Sequence, residues 1–156
     1  MTTKTTIGVI SDTHGLLRES AINAFEGVDQ IIHAGDVGSL EVVERLERIG
    51  PVAVVRGNHD RQEWASDWPL TEIVLVENFI FYVIHSLAEL DLDPRTAGCR
   101  AVISGHTHCA ESKSENGILF LSPGCAGPAQ RDFPNSVALI EVTGNDVESR
   151  IVEIAN

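Results

Sequence analysis

Short apolar runs separated by polar turns recur along the chain and predict buried β-strands. In the first half, runs at Thr5–Ser11, Gln30–Ala34 and Val52–Val55 alternate with two segments that have apolar residues at helical spacing. These apolar positions are Leu17, Ala21, Ala24 and Phe25 in the first segment and Val42, Val43, Leu46 and Ile49 in the second. Two β-α units followed by a third strand favour right-handed crossovers and a parallel sheet.

The second half of the chain has the pattern of β-hairpins. Glu77-Asn78, Asn116-Gly117 and Gly144-Asn145 are turn sequences that adjoin apolar runs. The predicted strands here are Glu72–Val76, Phe79–His85, Ala101–Ser104, Ile118–Leu121, Val137–Val142 and Glu148–Ile154, with short helical turns expected within Arg61–Trp68 and Ser86–Gly98. We therefore predict an α/β fold of two packed mixed β-sheets flanked by helices, a four-layer α-β-β-α sandwich, as a single domain over residues 1–156.

Residue types that bind metals follow five of the predicted strands. They are Asp12, His14, Asp36, Asn58, His85, His106 and His108. Because ligands bind outside the carboxyl ends of the strands in open α/β sheets, a sheet holding these strands side by side is expected to bring the side chains together. Mixed oxygen and nitrogen donors suit manganese, iron, zinc or nickel. The set exceeds one tetrahedral site and suffices for two metal ions if one carboxylate bridges them, an arrangement that can clamp the attacking and leaving oxygens at phosphorus.

The same motifs, in order and spacing, resemble the calcineurin-like metallophosphoesterase superfamily, in particular its small bacterial and archaeal phosphodiesterases. The motifs are Asp12-x-His14, Gly35-Asp36, Gly57-Asn58-His59-Asp60, His85 and Gly105-His106-x-His108. The resemblance implies one metal ion held by Asp12, His14, Asp36 and His108, and a second held by Asp36, Asn58, His85 and His106. It implies that Asp36 bridges the two ions and that His59 is a catalytic residue that contacts the phosphate and assists the leaving group.

The implied activity is hydrolysis of phosphoesters, phosphodiesters more than monoesters, by in-line attack of a metal-bridging hydroxide on phosphorus. The implied cofactors are two divalent metal ions, with manganese favoured and iron, zinc or nickel as alternatives. The chain departs from the family pattern at Ser86, where glycine is usual, and at Ser122 and Cys125, where Asn-Pro-Gly-Ser is common. Ser39 occupies the position at which larger phosphatases carry an Asp that orients the catalytic histidine, and Asp60 is the alternative candidate for that role.

Two other functions remain open. One is a catalytically weak protein-interaction module, as in the retromer subunit that resembles this family but lacks part of its catalytic set, and the other is a phosphomonoesterase. Several residues outside the motifs have structural interpretations. His33 lies within a predicted strand and is expected to be a core histidine, with a supporting role at the site as the alternative, and Asp91 and Asp93 are expected in a solvated loop.

Charge and hydropathy narrow the class of partner and the location. The formal net charge is −12, which disfavours a long nucleic acid because such binding requires basic patches. The longest apolar stretch, Phe79–Ile84, is too short to cross a membrane, and no signal-type segment precedes Asp12. The three cysteines lack Cys-x-x-Cys spacing, which favours reduced thiols. We therefore predict a cytoplasmic protein that acts on a small phosphoester and contacts no membrane, with a homo-oligomer as an open alternative.

Overall fold

Two five-stranded β-sheets form the centre of the molecule, in a computed structural model that describes residues 3–130 and 132–155. The strands are β1 (Lys4–Ile10), β2 (Gln30–His33), β3 (Val52–Val54), β4 (Thr71–Val76), β5 (Phe79–Ile84), β6 (Cys99–Ile103), β7 (Ala110–Glu115), β8 (Ile118–Pro123), β9 (Ser136–Thr143) and β10 (Asp146–Glu153). The α-helices are α1 (Glu19–Ala24) and α2 (Leu40–Glu47), and 3-10 turns occur at Glu63–Ala65 and Leu87–Glu89.

Each sheet mixes parallel and antiparallel neighbours. The first sheet has the order β10-β9-β1-β2-β3, in which β1, β2 and β3 are parallel, as the two β-α units predict. The carboxyl-terminal hairpin of β9 and β10 adds antiparallel strands beside β1. The second sheet has the order β4-β5-β6-β8-β7, with β5, β6 and β8 parallel and an antiparallel strand at each edge.

The main apolar cluster lies between the two sheets. Val9, Phe81, Ile103 and Ile140 in this cluster are fully shielded from solvent. Burial of an aromatic or aliphatic side chain of this size contributes about 1.5–3 kcal/mol, so this layer is a major source of stability and fixes how the sheets face each other.

A second apolar cluster lies between the first sheet and the two helices. Phe25 and Leu46 are fully buried there. A Cβ atom at Gly8 in β1 would lie 2.7 Å from the Phe25 ring, so glycine at this position lets the aromatic ring pack directly on the strand. Ser39 precedes α2 as its N-cap, and its hydroxyl accepts a hydrogen bond from the Glu41 backbone N–H.

The outer face of the second sheet is covered by the segment that follows β5. Leu90 and Leu92 pack there against a cluster that includes Tyr82, Ile84 and Val102. The predicted fold of two packed mixed sheets with helices is therefore confirmed, and the layer over the second sheet is a loop with one 3-10 turn. In the described residues, all three cysteines are free thiols, and no helix there is long and apolar enough to cross a membrane.

Candidate metal centre

The five strand ends meet at one edge of the molecule, but they come from two sheets. Asp12, Asp36 and Asn58 follow β1, β2 and β3 of the first sheet, whereas His85 and His106 follow β5 and β6 of the second. The strand ends therefore meet across both predicted sheets and not along the edge of a single sheet. The packing of two sheets brings their carboxyl ends to the same place because each sheet contributes parallel strands.

Asp12 lies at the bottom of the site and is fully buried. Its Oδ2 accepts hydrogen bonds from the Ser11 hydroxyl at 2.7 Å and from the His106 backbone N–H at 3.1 Å. Its Oδ1 has no hydrogen-bond partner and lies 3.6 Å from His108 Nε2 and 3.8 Å from His14 Nε2. One oxygen of this carboxylate is therefore held by the protein, and the other faces two imidazoles.

Asp36 occupies the middle of the site, with 1% of its side chain exposed. Its Oδ2 lies 3.0 Å from His59 Nδ1, 3.3 Å from His85 Nε2 and 3.8 Å from His14 Nε2. Burial by itself raises the pKa of Asp36, but the His85 and His59 rings beside its carboxylate outweigh burial and hold the pKa below its usual value. Asp36 is thus a carboxylate placed between histidines from both sheets.

A backbone contact orients His85. The His85 Nδ1–H donates to the Ala34 carbonyl at 2.7 Å, which leaves Nε2 directed at Asp36 without a satisfactory hydrogen bond. Such a contact is the usual way in which proteins fix the tautomer of a metal-binding histidine. Burial lowers the pKa of His85, but the adjacent Asp36 carboxylate and the Ala34 carbonyl outweigh burial, so the net pKa is raised.

The donor set fits divalent metal ions. Within the part of the chain that the structure describes, three groups bring ligand atoms within 4.8 Å of one another. Two of these groups together contain all but one of the predicted ligands: Asp12, His14 and His108, and Asp36, His85 and His106. The Oδ1 of Asp12 and the Nε2 of His85 are buried there without partners. A cation between such groups would satisfy atoms that otherwise carry a desolvation penalty.

The backbone at the site is strained. Seven described residues other than glycine have positive φ, and five of them are predicted ligands: Asp12, His14, Asp36, His106 and His108. Such conformations cost roughly 1–3 kcal/mol each and persist where the surrounding structure enforces them, commonly at functional sites. Gly57 reinforces this arrangement, because a Cβ atom there would collide with the Asp36 carboxylate.

Asn58 and His59 lie at the solvent edge of the site. Asn58 is exposed, lines a cavity together with His85 and His106, and its side-chain amide is 3.4 Å from His59 Nδ1. The His59 side chain is 67% exposed, and its backbone N–H donates to Asp36 Oδ1 at 2.9 Å. The structure therefore brings all eight predicted site residues together, and His59 is one of the exposed residues among them.

Neither candidate for orienting His59 forms a hydrogen bond with its ring in the described residues. Both oxygens of Asp60 accept backbone N–H groups: Oδ2 from Val37 and Gly57, and Oδ1 from Gly38. The Ser39 hydroxyl caps α2. The ring of His59 is instead hydrogen-bonded to Asp36. Asp60 acts on the loops, since it joins the segment after β2 to the segment after β3.

His33 is a core histidine that also connects two site loops. The Gly35 N–H donates to His33 Nδ1 at 3.1 Å, so Nε2 carries the proton and donates to the Thr13 hydroxyl at 2.9 Å. Burial lowers the pKa of His33 to about 3, so the ring is neutral near physiological pH. Because Thr13 lies between Asp12 and His14, this network holds the first two site loops in register.

The sequence and structure comparisons identify the family. Residues 6–145 match the calcineurin-like phosphoesterase superfamily domain. The chain belongs to this superfamily. A probable metallophosphoesterase from Methanothermobacter thermautotrophicus is 31% identical over 161 residues, 94% of this chain and 91% of the relative. A phosphodiesterase from Methanocaldococcus jannaschii is 30% identical over 142 residues, 78% of this chain and 84% of that protein.

Solved structures agree with this superfamily fold. The structure of a novel archaeal phosphodiesterase has a TM-score of 0.78 at 24% identity and covers 94% of this chain and 99% of its own. Vacuolar protein sorting 29 from Cryptosporidium parvum also has a TM-score of 0.78, at 22% identity, with coverage of 98% and 99%. Superfamily membership supports a metal-dependent phosphoester hydrolase, and the resemblance predicted from five motifs is confirmed.

Sequence reasoning missed one support of this calcineurin-like site, the segment after β8. The Gly127 N–H donates to the Asp12 carbonyl at 3.1 Å, and the Ala126 N–H donates to the Ser11 carbonyl at 3.1 Å. The Cys125 thiol approaches the Asp12 carbonyl at 3.5 Å. These contacts use main-chain groups and leave no residue-type pattern, apart from the small residues that the close approach requires.

Proposed function

We propose that this chain is a dinuclear metal-dependent phosphodiesterase. The observation that carries the proposal is the position of Asp36, whose Oδ2 lies 3.8 Å from His14 Nε2 and 3.3 Å from His85 Nε2. His14 belongs to the ligand group with Asp12 and His108, and His85 belongs to the group that includes His106. A carboxylate between two ligand groups is the arrangement that a bridging ligand requires.

The residues would divide into two sets that share Asp36. One ion would be held by Asp12, His14, Asp36 and His108, and the other by Asp36, Asn58, His85 and His106. We propose manganese as the metal, and iron, zinc or nickel would also suit these donors. Ions bound there would supply Lewis acidity, neutralising phosphate charge and lowering the pKa of a coordinated water for in-line attack. The protein fixes the ligands through Ser11, Ala34 and the Asp60 network, so little reorganisation is needed on binding.

His59 would contact the phosphate and protonate the leaving oxygen. Its Nδ1 contacts Asp36 Oδ2 at 3.0 Å, which holds the ring at the site while the side chain stays largely exposed. With Nδ1–H donated to Asp36, Nε2 is the atom available to contact the phosphate and to pass a proton to the departing alcohol. His59 also belongs to a group of ligand-type atoms with His14 and Asp36, so metal content must be measured in any His59 variant.

The experiment compares hydrolysis of bis-4-nitrophenyl phosphate and 4-nitrophenyl phosphate with added manganese. We expect higher kcat/KM for the diester, loss of activity with a chelator, and loss of metal and activity in Asp36→Asn. His59→Ala should retain two ions by elemental analysis while kcat falls by about 10²–10⁴. Activity that survives both chelation and Asp36→Asn would refute the mechanism, and loss of metal in His59→Ala would make His59 a ligand instead.

The second candidate is a phosphoesterase-like interaction module. It is favoured by the similarity in fold and length to vacuolar protein sorting 29. Protein that binds two metal ions but hydrolyses none of a broad panel of diesters and monoesters would support this module. A monoester preference in the comparison above would support a phosphomonoesterase.

The remaining parts of the proposal concern partners and location. We propose a small phosphoester as substrate and a cytoplasmic location, with no membrane as partner. The formal net charge of −12 disfavours a long nucleic acid as partner. Hydrolysis of short and long single-stranded oligonucleotides, compared at equal ionic strength, tests the exclusion of long nucleic acids.

A further inference from the structure

A cavity of about 480 Å³ opens beside the candidate metal centre, next to His85 and His106. Residues other than the predicted metal ligands also line the cavity. They include Arg56 and Leu70 from the connection between β3 and β4, and Ser86, Glu89 and Asp91 from the segment after β5. The volume lies within the range of about 300–1,000 Å³ that is typical of small-ligand pockets. The cavity can therefore accept one organic substituent of a phosphoester whose phosphate lies at the metal centre.

The packing of neighbouring leucines positions the Glu89 and Asp91 carboxylates in the lining of this cavity. Leu90 and Leu92 pack on the outer face of the second sheet, and the alternating residues Glu89 and Asp91 line the cavity. Asp91 lies in an exposed loop, as the sequence predicts, and its side chain also lines the cavity. In the described ranges, 3–130 and 132–155, neither Glu89 nor Asp91 forms a salt bridge. Both carboxylates are thus available to a ligand.

The charges of the lining favour a cationic substituent. Arg56 contributes one formal positive charge, and Glu89 and Asp91 contribute two negative charges. The anionic phosphate would be neutralised at the adjacent metal centre, which leaves the carboxylates to face the organic arm. A second anionic group in the cavity is disfavoured, because it would meet Glu89 and Asp91 at close range.

The side chains of the lining also indicate which cation fits. The described lining residues include no Phe, Tyr or Trp, whereas quaternary ammonium groups are typically bound by aromatic faces. A primary ammonium instead offers three N–H donors, which match the oxygens of Glu89, Asp91 and Ser86. Building on the proposed phosphodiesterase function, we propose that this cavity binds the primary-ammonium arm of an amino-alcohol phosphodiester, with Glu89 and Asp91 as specificity-determining residues.

The test compares three 4-nitrophenyl phosphodiesters whose second alcohol is ethanolamine, choline or ethanol, using the metal-loaded full chain. We expect kcat/KM to be about tenfold higher for the ethanolamine ester than for the ethyl ester, with the choline ester below the ethanolamine ester. Glu89→Gln and Asp91→Asn should each reduce the ethanolamine preference about threefold, and the double variant should abolish it. Glu47→Gln, an exposed carboxylate on α2, is the matched control and should retain the preference.

The outcomes separate the cavity from the chemistry. Equal kcat/KM for the three esters, or a preference that survives the double variant, overturns the cavity assignment and leaves the phosphodiesterase proposal standing. If none of the three esters is hydrolysed, the phosphodiesterase proposal is overturned. Calorimetric titration then tests whether the cavity binds an ammonium group. O-ethyl phosphoethanolamine should bind more tightly than diethyl phosphate, and only while Glu89 and Asp91 are intact. Equal affinities in that titration overturn the cavity assignment.

Discussion

Replacing Asp60 by Asn removes the charge that joins two site loops. The Asp60 carboxylate is 2% exposed and accepts three backbone N–H groups, from Val37 at 3.1 Å, Gly57 at 2.9 Å and Gly38 at 3.1 Å. An Asn side chain has one oxygen, and its best orientation places that oxygen where Oδ2 now accepts two bonds. Its amide nitrogen then faces the Gly38 N–H, where a donor meets a donor.

The expected loss follows from these contacts. Loss of one charge-assisted hydrogen bond costs roughly 1.5–3 kcal/mol, and the two hydrogen bonds that remain become weaker because their acceptor is neutral. We therefore expect Asp60→Asn to reduce the free energy of unfolding by about 3 kcal/mol. Urea denaturation of the metal-free protein measures this change in the free energy of unfolding. Trp64 and Trp68 are suitable fluorescence reporters because they follow Asp60 and their rings pack together at 5.4 Å.

The control for this prediction is Asp67→Asn, which alters an exposed carboxylate in the same segment and should change the unfolding free energy by less than about 0.5 kcal/mol. Asp60→Asn should also weaken manganese binding, because the loops that Asp60 joins carry Asp36 and Asn58. A urea midpoint for Asp60→Asn equal to that of Asp67→Asn would refute the assignment of Asp60 as the connection between these loops.

Three further predictions follow from other contacts. Burial lowers the pKa of His33 from 6.5 to about 3, so its contribution to stability is present above pH 6.5 and is lost as the pH falls toward 3. His33→Gln should remove about 3 kcal/mol of pH-dependent stability between pH 6.5 and about pH 4 in metal-free protein, and equal slopes of unfolding free energy against pH in both proteins would contradict this. Gly57→Ala should place a Cβ atom against the Asp36 carboxylate and weaken manganese binding at least about tenfold by calorimetry. Gly50→Ala, where the nearest atom to the added Cβ lies at 3.4 Å, is its control, and equal affinities would show that Asp36 is not displaced. Ser39→Ala should lower the free energy of unfolding by about 1 kcal/mol through loss of the α2 N-cap, and an unchanged urea midpoint would argue against that cap.

The position of the site could be predicted from sequence because each strand ends where an apolar run meets a ligand-type residue. Val9-Ile10 before Asp12 and Val102-Ile103 before His106 show the pattern clearly. The assignment of those strands to two sheets could not be predicted in the same way, because pairing such as β9 beside β1 joins residues more than a hundred positions apart. Local hydrophobic periodicity carries no information about such distant pairing.

Other features lack a residue-type pattern. Strand β7 is exposed along nearly its whole length at the edge of the second sheet, so its sequence shows no alternation of apolar and polar residues. Asp60 contacts only main-chain N–H groups, and such partners cannot be identified from side-chain types. The segment at Glu89 and Asp91 has the composition of a solvated loop, and only the packing of Leu90 and Leu92 places the two carboxylates in the cavity.

The origin of the site in two sheets links its geometry to residues far from it. The apolar layer that contains Phe81 and Ile140 sets the separation between the sheets, and hence the spacing between the Asp12 and His106 loops. A change in side-chain volume inside that layer could alter the distance between two bound cations without touching any ligand. Interior substitutions of this kind are therefore a route by which evolution or protein engineering could adjust metal preference.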